Sequence, residues 1–209
     1  CSDKLAQLNY DRVVNMDLNY RLTPALFSYE GIQYQYMGPR VLSRDALEYL
    51  QDNLRILSGF YGILKPLDGV VPYRLEMQSK FINYKNKDLY EYWADKIANS
   101  LFEETNLIIN LASKEYSKCV EKYLKNSPGT KFITCVFGEI NGDKVIEKGT
   151  LAKMARGEMV RYLAQNKYYS IVKDLDNDVH RFLFVKKNEF DITNSTYSKS
   201  WEYKYYLSN

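Results

Sequence analysis

The stretch that most restricts what this chain can fold into is Leu54–Met77, LRILSGFYGILKPLDGVVPYRLEM. Its spacing predicts the end of an amphipathic helix, broken by Gly59 and Gly62 and stopped by Pro66. A turn at Asp68-Gly69 and a second proline, Pro72, then lead into Tyr73-Arg74-Leu75-Glu76-Met77. Glycines permit positive φ or close backbone approach, and prolines fix the path of the chain. Two readings of this pattern are open. A rigid loop flanked by Arg55, Lys65 and Arg74 could turn backbone N–H groups and positive charge toward an anion such as phosphate. A tight buried turn between a helix and a strand needs the same residues.

The remaining elements read as a mixture. Ser2 to Asn15 is expected to be helical, and Pro24 to Tyr29 (PALFSY) a short buried strand closed by Gly31. Ser43 is placed to N-cap a helix through Leu57, with Leu47, Leu50, Leu54 and Leu57 on one face. Asp88 to Glu103 reads as a helix, Leu107 to Leu111 as a buried strand, and Ser113 as the cap of a helix through Leu124. Asn141-Gly142 between two apolar runs predicts a hairpin, Thr150 to Asn166 a helix, and Val179 to Val185 a strand. The fold class expected is α+β: one mixed domain over 1–209, with a central or curved β-sheet flanked by helices.

At 209 residues, with 45% apolar and 26% charged residues, the chain is long enough to bury a core and is not of disordered composition. No run has the length of a membrane span and nothing at the start has a signal-peptide layout, so no membrane partner is expected. Cys1, Cys119 and Cys135 are odd in number and widely spaced. With a single histidine, they form no zinc pattern. A reducing cytoplasm is the natural setting, with no metal and no cofactor expected. No cysteine has neighbours that would clearly stabilise a thiolate, so none is expected to act as a peroxide sensor. His180 has no sequence partners that would make it a general base.

Charge is unevenly spread. Lys144 to Lys187 holds ten Lys/Arg against five acids, an excess of +5 in a chain whose net charge is +3. A basic face of this kind attracts nucleic acid or another anion, and a solvated lysine-rich surface has the same composition. On the Thr150–Asn166 helix, a wheel gathers Leu151, Ala155, Met159 and Tyr162 on one side and Lys153, Arg156 and Arg161 on the opposite arc. Gly157 in mid-helix costs about 1 kcal/mol relative to alanine and suits a place where something packs against the backbone.

Four spaced motifs occur in order. They are the Leu54–Met77 segment; Lys87-Asp88-Leu89-Tyr90 with Trp93; Asn110-Leu111-Ala112-Ser113 with Glu115-Tyr116; and Ala152-Lys153 with Ala155-Arg156-Gly157. Together with Ser2-Asp3-Lys4-Leu5-Ala6, they resemble the YaaA family of bacterial peroxide-stress proteins over nearly the whole chain. Members of that family usually begin several dozen residues earlier, with an apolar strand and a Ser-Pro-Ala-Lys motif. This chain carries neither and is expected to be truncated relative to them. The resemblance implies a stress-response role and non-specific binding to duplex or distorted DNA, through a positive cleft and a helix-hairpin-helix-like element. That element would lie at the end of the helix near Leu57 and the Ser58–Gly62 turn. The residues implied as DNA contacts are Gly59, Gly62, Lys65, Arg74, Lys153, Arg156 and Arg161.

The motifs also gather polar side chains that a scaffold would not obviously need: Asp68, Tyr73, Glu76, Lys87, Asp88, Asn110, Ser113, Glu115, Tyr116 and Lys118. If they converge, they could form a small-molecule pocket that binds phosphate and moves protons. No Walker-type loop, GxSxG or GxGxxG accompanies them.

Overall fold

The computed structural model describes residues 3–80, 85–141 and 144–166, together with the backbone of 181–190 and 197–206. The chain opens with α1 (Asp3–Val14), then a short strand β1 (Thr23–Pro24), one helical turn α2 (Ala25–Ser28) and α3 (Ile32–Met37). The strand expected over Pro24 to Tyr29 is therefore mostly helical. The Ser28 hydroxyl donates back to Pro24 O at 3.0 Å, and Ala25 N and Leu26 N donate to Asp68 O and Pro66 O. These bonds hold the segment as a closed turn against the Pro66–Asp68 loop.

Helix α4 (Arg44–Asn53) starts where expected, with Ser43 Oγ accepting from Ala46 N at 3.3 Å. It stops four residues short of Leu57. The chain instead forms β2 (Ile56–Ser58) and β3 (Gly62–Leu64), an antiparallel hairpin pairing Ile56 with Leu64 and Ser58 with Gly62. The helix-hairpin-helix-like element is thus a β-hairpin, followed by the turn Lys65–Asp68 and the short strand β4 (Gly69–Val70), which pairs with β1. Gly62 reverses the chain at φ +77, and a Cβ there would lie 2.8 Å from the Trp93 ring. Gly59 answers to space instead, since a Cβ would meet Leu75 O at 2.5 Å. Trp93 Nε1 also donates to Gly59 O at 2.9 Å, so the two glycines and the tryptophan form one packed unit.

Asp88 caps α5 (Leu89–Trp93), its Oδ1 accepting from Glu91 N at 2.9 Å. The single helix expected over Asp88 to Glu103 is broken at Ala94, φ +46, and resumes as α6 (Lys96–Glu104). Strand β5 (Leu107–Asn110) and α7 (Lys114–Glu121) follow as expected, although the Ser113 side chain makes no cap bond. Strand β6 (Lys131–Phe137) pairs in parallel with β5. A small hairpin of β7 (Glu139–Asn141) and β8 (Lys144–Ile146) leads into α8 (Gly149–Asn166). Gly142, His180 and Cys1 lie outside the described residues. Strands β9 (Arg181–Phe190) and β10 (Tyr197–Tyr206) extend the sheet to the order β10-β9-β6-β5. Mixed helix and strand, with helices packed on the sheet, is the α+β class expected.

Helix α8 positions the site. Ala152 and Ala155 pack on Ile133, Cys135 and Phe137 of β6. Val160 and Ala164 pack into the cluster of Leu26, Met37, Leu42, Ala46 and Leu50. Between them, α3 crosses so closely that a Cβ on Gly157 would lie 2.1 Å from Gln33 O. The wheel drawn from sequence is rotated: Leu151 and Tyr162 are exposed, and the buried line is Ala152, Ala155, Gly157, Val160 and Ala164. Small residues win that line because two elements, a strand and a helix, press on α8 from different sides.

Candidate functional site

A cleft of about 1190 Å³ separates two walls. One wall is α3, the end of α4 and the start of β2; the other is β5, the first turn of α7 and the α8 side chains Lys153 and Arg156. Residues Asn106 to Ser113 line it without a gap, so the rim of β5 and the loop beyond its carboxyl end face the opening. Loops at the carboxyl ends of parallel strands are where α/β sheets commonly hold ligands. Gln33 Nε2 on α3 reaches across to Leu111 O at 3.5 Å.

Two arginines line the cleft at almost equal burial, with 15% of the Arg55 and 14% of the Arg156 side chain exposed. Arg55 is fully engaged. It forms a close ion pair with Glu104, and its Nη1 donates to the carbonyls of Gln51, Asp52 and Leu54. Among the described residues, Arg156 pairs with Glu147 at 3.6 Å, and its Nε is buried with no hydrogen-bond partner. A guanidinium offers five donors, and the Nε–H of this one is left without an acceptor among the described residues. Lys153, one turn before it on α8, is exposed on the same wall. Across the described lining, the acids Glu30, Asp52, Glu104 and Glu115 outnumber the bases Arg55, Lys153 and Arg156. Positive charge is therefore concentrated on the α8 wall and does not fill the cleft.

Asn110, 7% exposed at the end of β5, is held by its own bonds: Nδ2 donates to Thr134 Oγ1 at 3.2 Å and Oδ1 accepts from Ala112 N at 3.0 Å. Ser113 follows with its hydroxyl uncommitted to capping. Glu115 Oε1 accepts from Gln78 N at 3.2 Å. Burial pushes the Tyr116 phenol up to about 12, with the Glu115 charge adding to the effect. Burial also raises Tyr29 and Tyr34, whose rings stack 5.4 Å apart on the facing wall. Tyr29 and Tyr34 escaped the sequence reading because nothing local distinguishes them among 20 tyrosines.

Of the ten residues expected to form a pocket, Asn110, Ser113, Glu115 and Tyr116 line the cleft, and of the DNA contacts so do Lys153 and Arg156. The others are placed elsewhere. Tyr73 OH bridges Ser58 Oγ and Tyr29 OH, each at 2.5 Å, and so braces the hairpin. Asp68 Oδ2 accepts from Lys65 N at 2.7 Å and closes the turn after β3. Asp88 is a helix cap, and Lys87 pairs with Glu91 at 3.3 Å. Arg74 and Glu76 pair with each other at 3.2 Å in solvent, and Lys118 lies over the Tyr90 ring. Gly59 and Gly62 are buried, Lys65 is exposed outside the cleft, and Arg161 packs beside Gly38. The structure thus brings Asn110, Ser113, Glu115 and Tyr116 together at the cleft and places the other six elsewhere.

Burial pushes the Cys119 thiol up to about 11 and the Cys135 thiol up to about 12, the latter opposed by the nearby Arg156 charge. Both sulfurs are therefore thiols at neutral pH and poor nucleophiles. Among the described residues, no cluster of three His, Cys, Asp or Glu side chains is placed to hold a metal ion, and no helix is long and apolar enough to cross a membrane.

Comparison with known proteins agrees with the motif order. A protein of Lachnoclostridium phytofermentans, named only as a UPF0246 protein, is 62% identical over 167 residues, which cover 80% of this chain and 65% of its own length. One of Agathobacter rectalis, under the same name, is 55% identical over 184 residues, covering 87% of this chain and 70% of its own. The chain spans about two thirds of the length of these curated relatives. Residues 1–187 match the family described as peroxide stress protein YaaA, the stretch that includes both cleft walls, and the chain belongs to that family.

Proposed function

We propose that the protein serves the peroxide-stress response by binding DNA through its phosphate backbone, without reading base sequence. The observation that carries this reading is the exposed Lys153 on the α8 wall of an open cleft, with the Arg156 charge recessed behind it and Arg161 further along the same helix. Family membership and the excess of positive charge in Lys144–Lys187 support it. The reading no longer draws on a helix-hairpin-helix, because Gly59 and Gly62 are packed against Leu75 and Trp93. Affinity would come from charge and cleft shape, which position a duplex but carry no sequence information.

The test is fluorescence anisotropy of a labelled duplex at rising salt, with the chain at the length of its relatives. Each phosphate contact contributes about 0.9 to the log–log salt slope. Replacing Lys153 with Gln is expected to reduce the slope by about one and to weaken all sequences equally. A flat salt dependence, or no binding at low salt, overturns the DNA reading.

A further inference from the structure

We infer that Arg156 is the anchor of a recessed site for a phosphate monoester, a terminal phosphate group in contrast to an internal backbone phosphate. The comparison with Arg55 carries this. At the same burial on the same cleft, Arg55 spends its donors on a carboxylate and three carbonyls, while Arg156 has one acid at 3.6 Å and an unpartnered Nε. A largely desolvated guanidinium with a long ion pair and an unpartnered Nε–H can take an oxyanion, which its fork recognises in a bidentate way. Lys153 supplies a second positive charge on the same wall, as suits a doubly charged group. The Ser113 hydroxyl, which makes no cap bond, lines the same cleft. Glu115, in the first turn of α7, opposes an anion and is partly occupied by Gln78 N.

Recession selects the kind of phosphate. With only 14% of its side chain exposed, Arg156 is reached by a group that projects, as a monoester does. An internal diester is flanked by sugar on both sides and cannot enter a wall in this way. Two sources share the chemistry: a free phosphomonoester and the 5′-phosphate at a DNA end.

The experiment is calorimetric titration of the full chain with inorganic phosphate, with ionic strength held constant by sodium chloride. Saturable binding is expected, acetate binding at least tenfold weaker, and Arg156→Gln lowering phosphate affinity at least tenfold. Arg156→Lys keeps the charge but loses the fork, and an intermediate loss is expected. It also serves as the second variant if Arg156→Gln fails to fold. Anisotropy with 5′-phosphorylated and 5′-hydroxyl duplexes separates the sources. A preference for the phosphorylated end that vanishes in Arg156→Gln assigns a DNA end, and phosphate binding without that preference assigns a free monoester. Phosphate binding unchanged in a folded Arg156 variant, or no saturation up to about 10 mM phosphate, overturns the site. A flat salt slope with the 5′-hydroxyl duplex would remove the DNA reading and leave the phosphate titration standing.

Discussion

Arg55 and Arg156 show how little burial says about role. Both side chains are about 85% covered, both stand on the same cleft, and each has an acidic neighbour. At the Arg55 end, the guanidinium ties the last carbonyls of α4 to Glu104 at the end of α6. At the Arg156 end, the ion pair with Glu147 is long, 3.6 Å, and Nε has no partner. The same division runs through the motif residues. Tyr73, Asp68 and Asp88 are consumed by hairpin, turn and cap, whereas Ser113, Lys153 and Arg156 face the cleft with donors to spare. Satisfied polar groups build this protein; unsatisfied ones are available to a ligand.

The largest effect is expected where the Arg156 wall is held in place. Gly157→Val would drive a Cβ to 2.1 Å from Gln33 O, with backbone on both sides and no flexible side chain to give way. Overpacking of this kind costs about 3 kcal/mol or more. At the size of this chain, that is roughly a 6–12 °C fall in Tm, read by differential scanning calorimetry. A variant that melts like the wild type would mean that the α3–α8 crossing is looser than described and that the cleft wall is not fixed.

Next in size is Arg55→Gln, the direct test of the comparison. It leaves Glu104 without its partner and uncaps the end of α4, and a loss of about 2–3 kcal/mol is expected by urea titration, reduced from the fully buried case because Glu104 is partly exposed. Arg156→Gln is expected to cost less than about 1 kcal/mol in the same assay, since removing an under-compensated charge also removes its desolvation penalty. Equal losses at the two positions would abolish the distinction on which the ligand site rests.

How much of this was legible in the sequence depended on the range of the interactions concerned. Ser43 and Asp88 announce their helices because a cap acts on a backbone N–H three residues away. Strand β5 and helix α8 follow from apolar runs and periodicity of their own. The helix expected through Leu57 ends at Asn53, although Leu47, Leu50, Leu54 and Leu57 do fit a helical face. What overrides them is Trp93, some thirty residues away, closing on Gly59 and Gly62. The polar motif residues were recognisable as a set. Their division into partnered and unpartnered could not be read, because the partners of Tyr73 are Tyr29 and Ser58, far apart in the chain.

Tyr73→Phe should have a smaller effect than either of the first two substitutions. It deletes one hydroxyl and leaves those of Ser58 and Tyr29 each short of a bond, although Ser58 Oγ still accepts from Phe60 N and Tyr61 N. A loss of about 1–2 kcal/mol is expected in urea, with phosphate and DNA binding unchanged once the protein is folded. Binding lost without any loss of stability would move Tyr73 from the structural group to the ligand-facing one.

The smallest effect is expected at Lys65. Its side chain is exposed and lies outside the cleft, and the bond that shapes its turn comes from its backbone N–H, which alanine would keep. Lys65→Ala should therefore change stability by less than about 0.5 kcal/mol. Were the hairpin a DNA-binding element, this lysine would be among its main phosphate contacts, and its loss would lower the salt slope by about one. With the positive wall on α8, the slope should instead stay as it is for Lys65→Ala and fall for Lys153→Gln. Anisotropy of both variants against one duplex at four or more salt concentrations decides between the two surfaces. A fall for Lys65→Ala that matches or exceeds the fall for Lys153→Gln would return the contact surface to the hairpin and leave the cleft to another task.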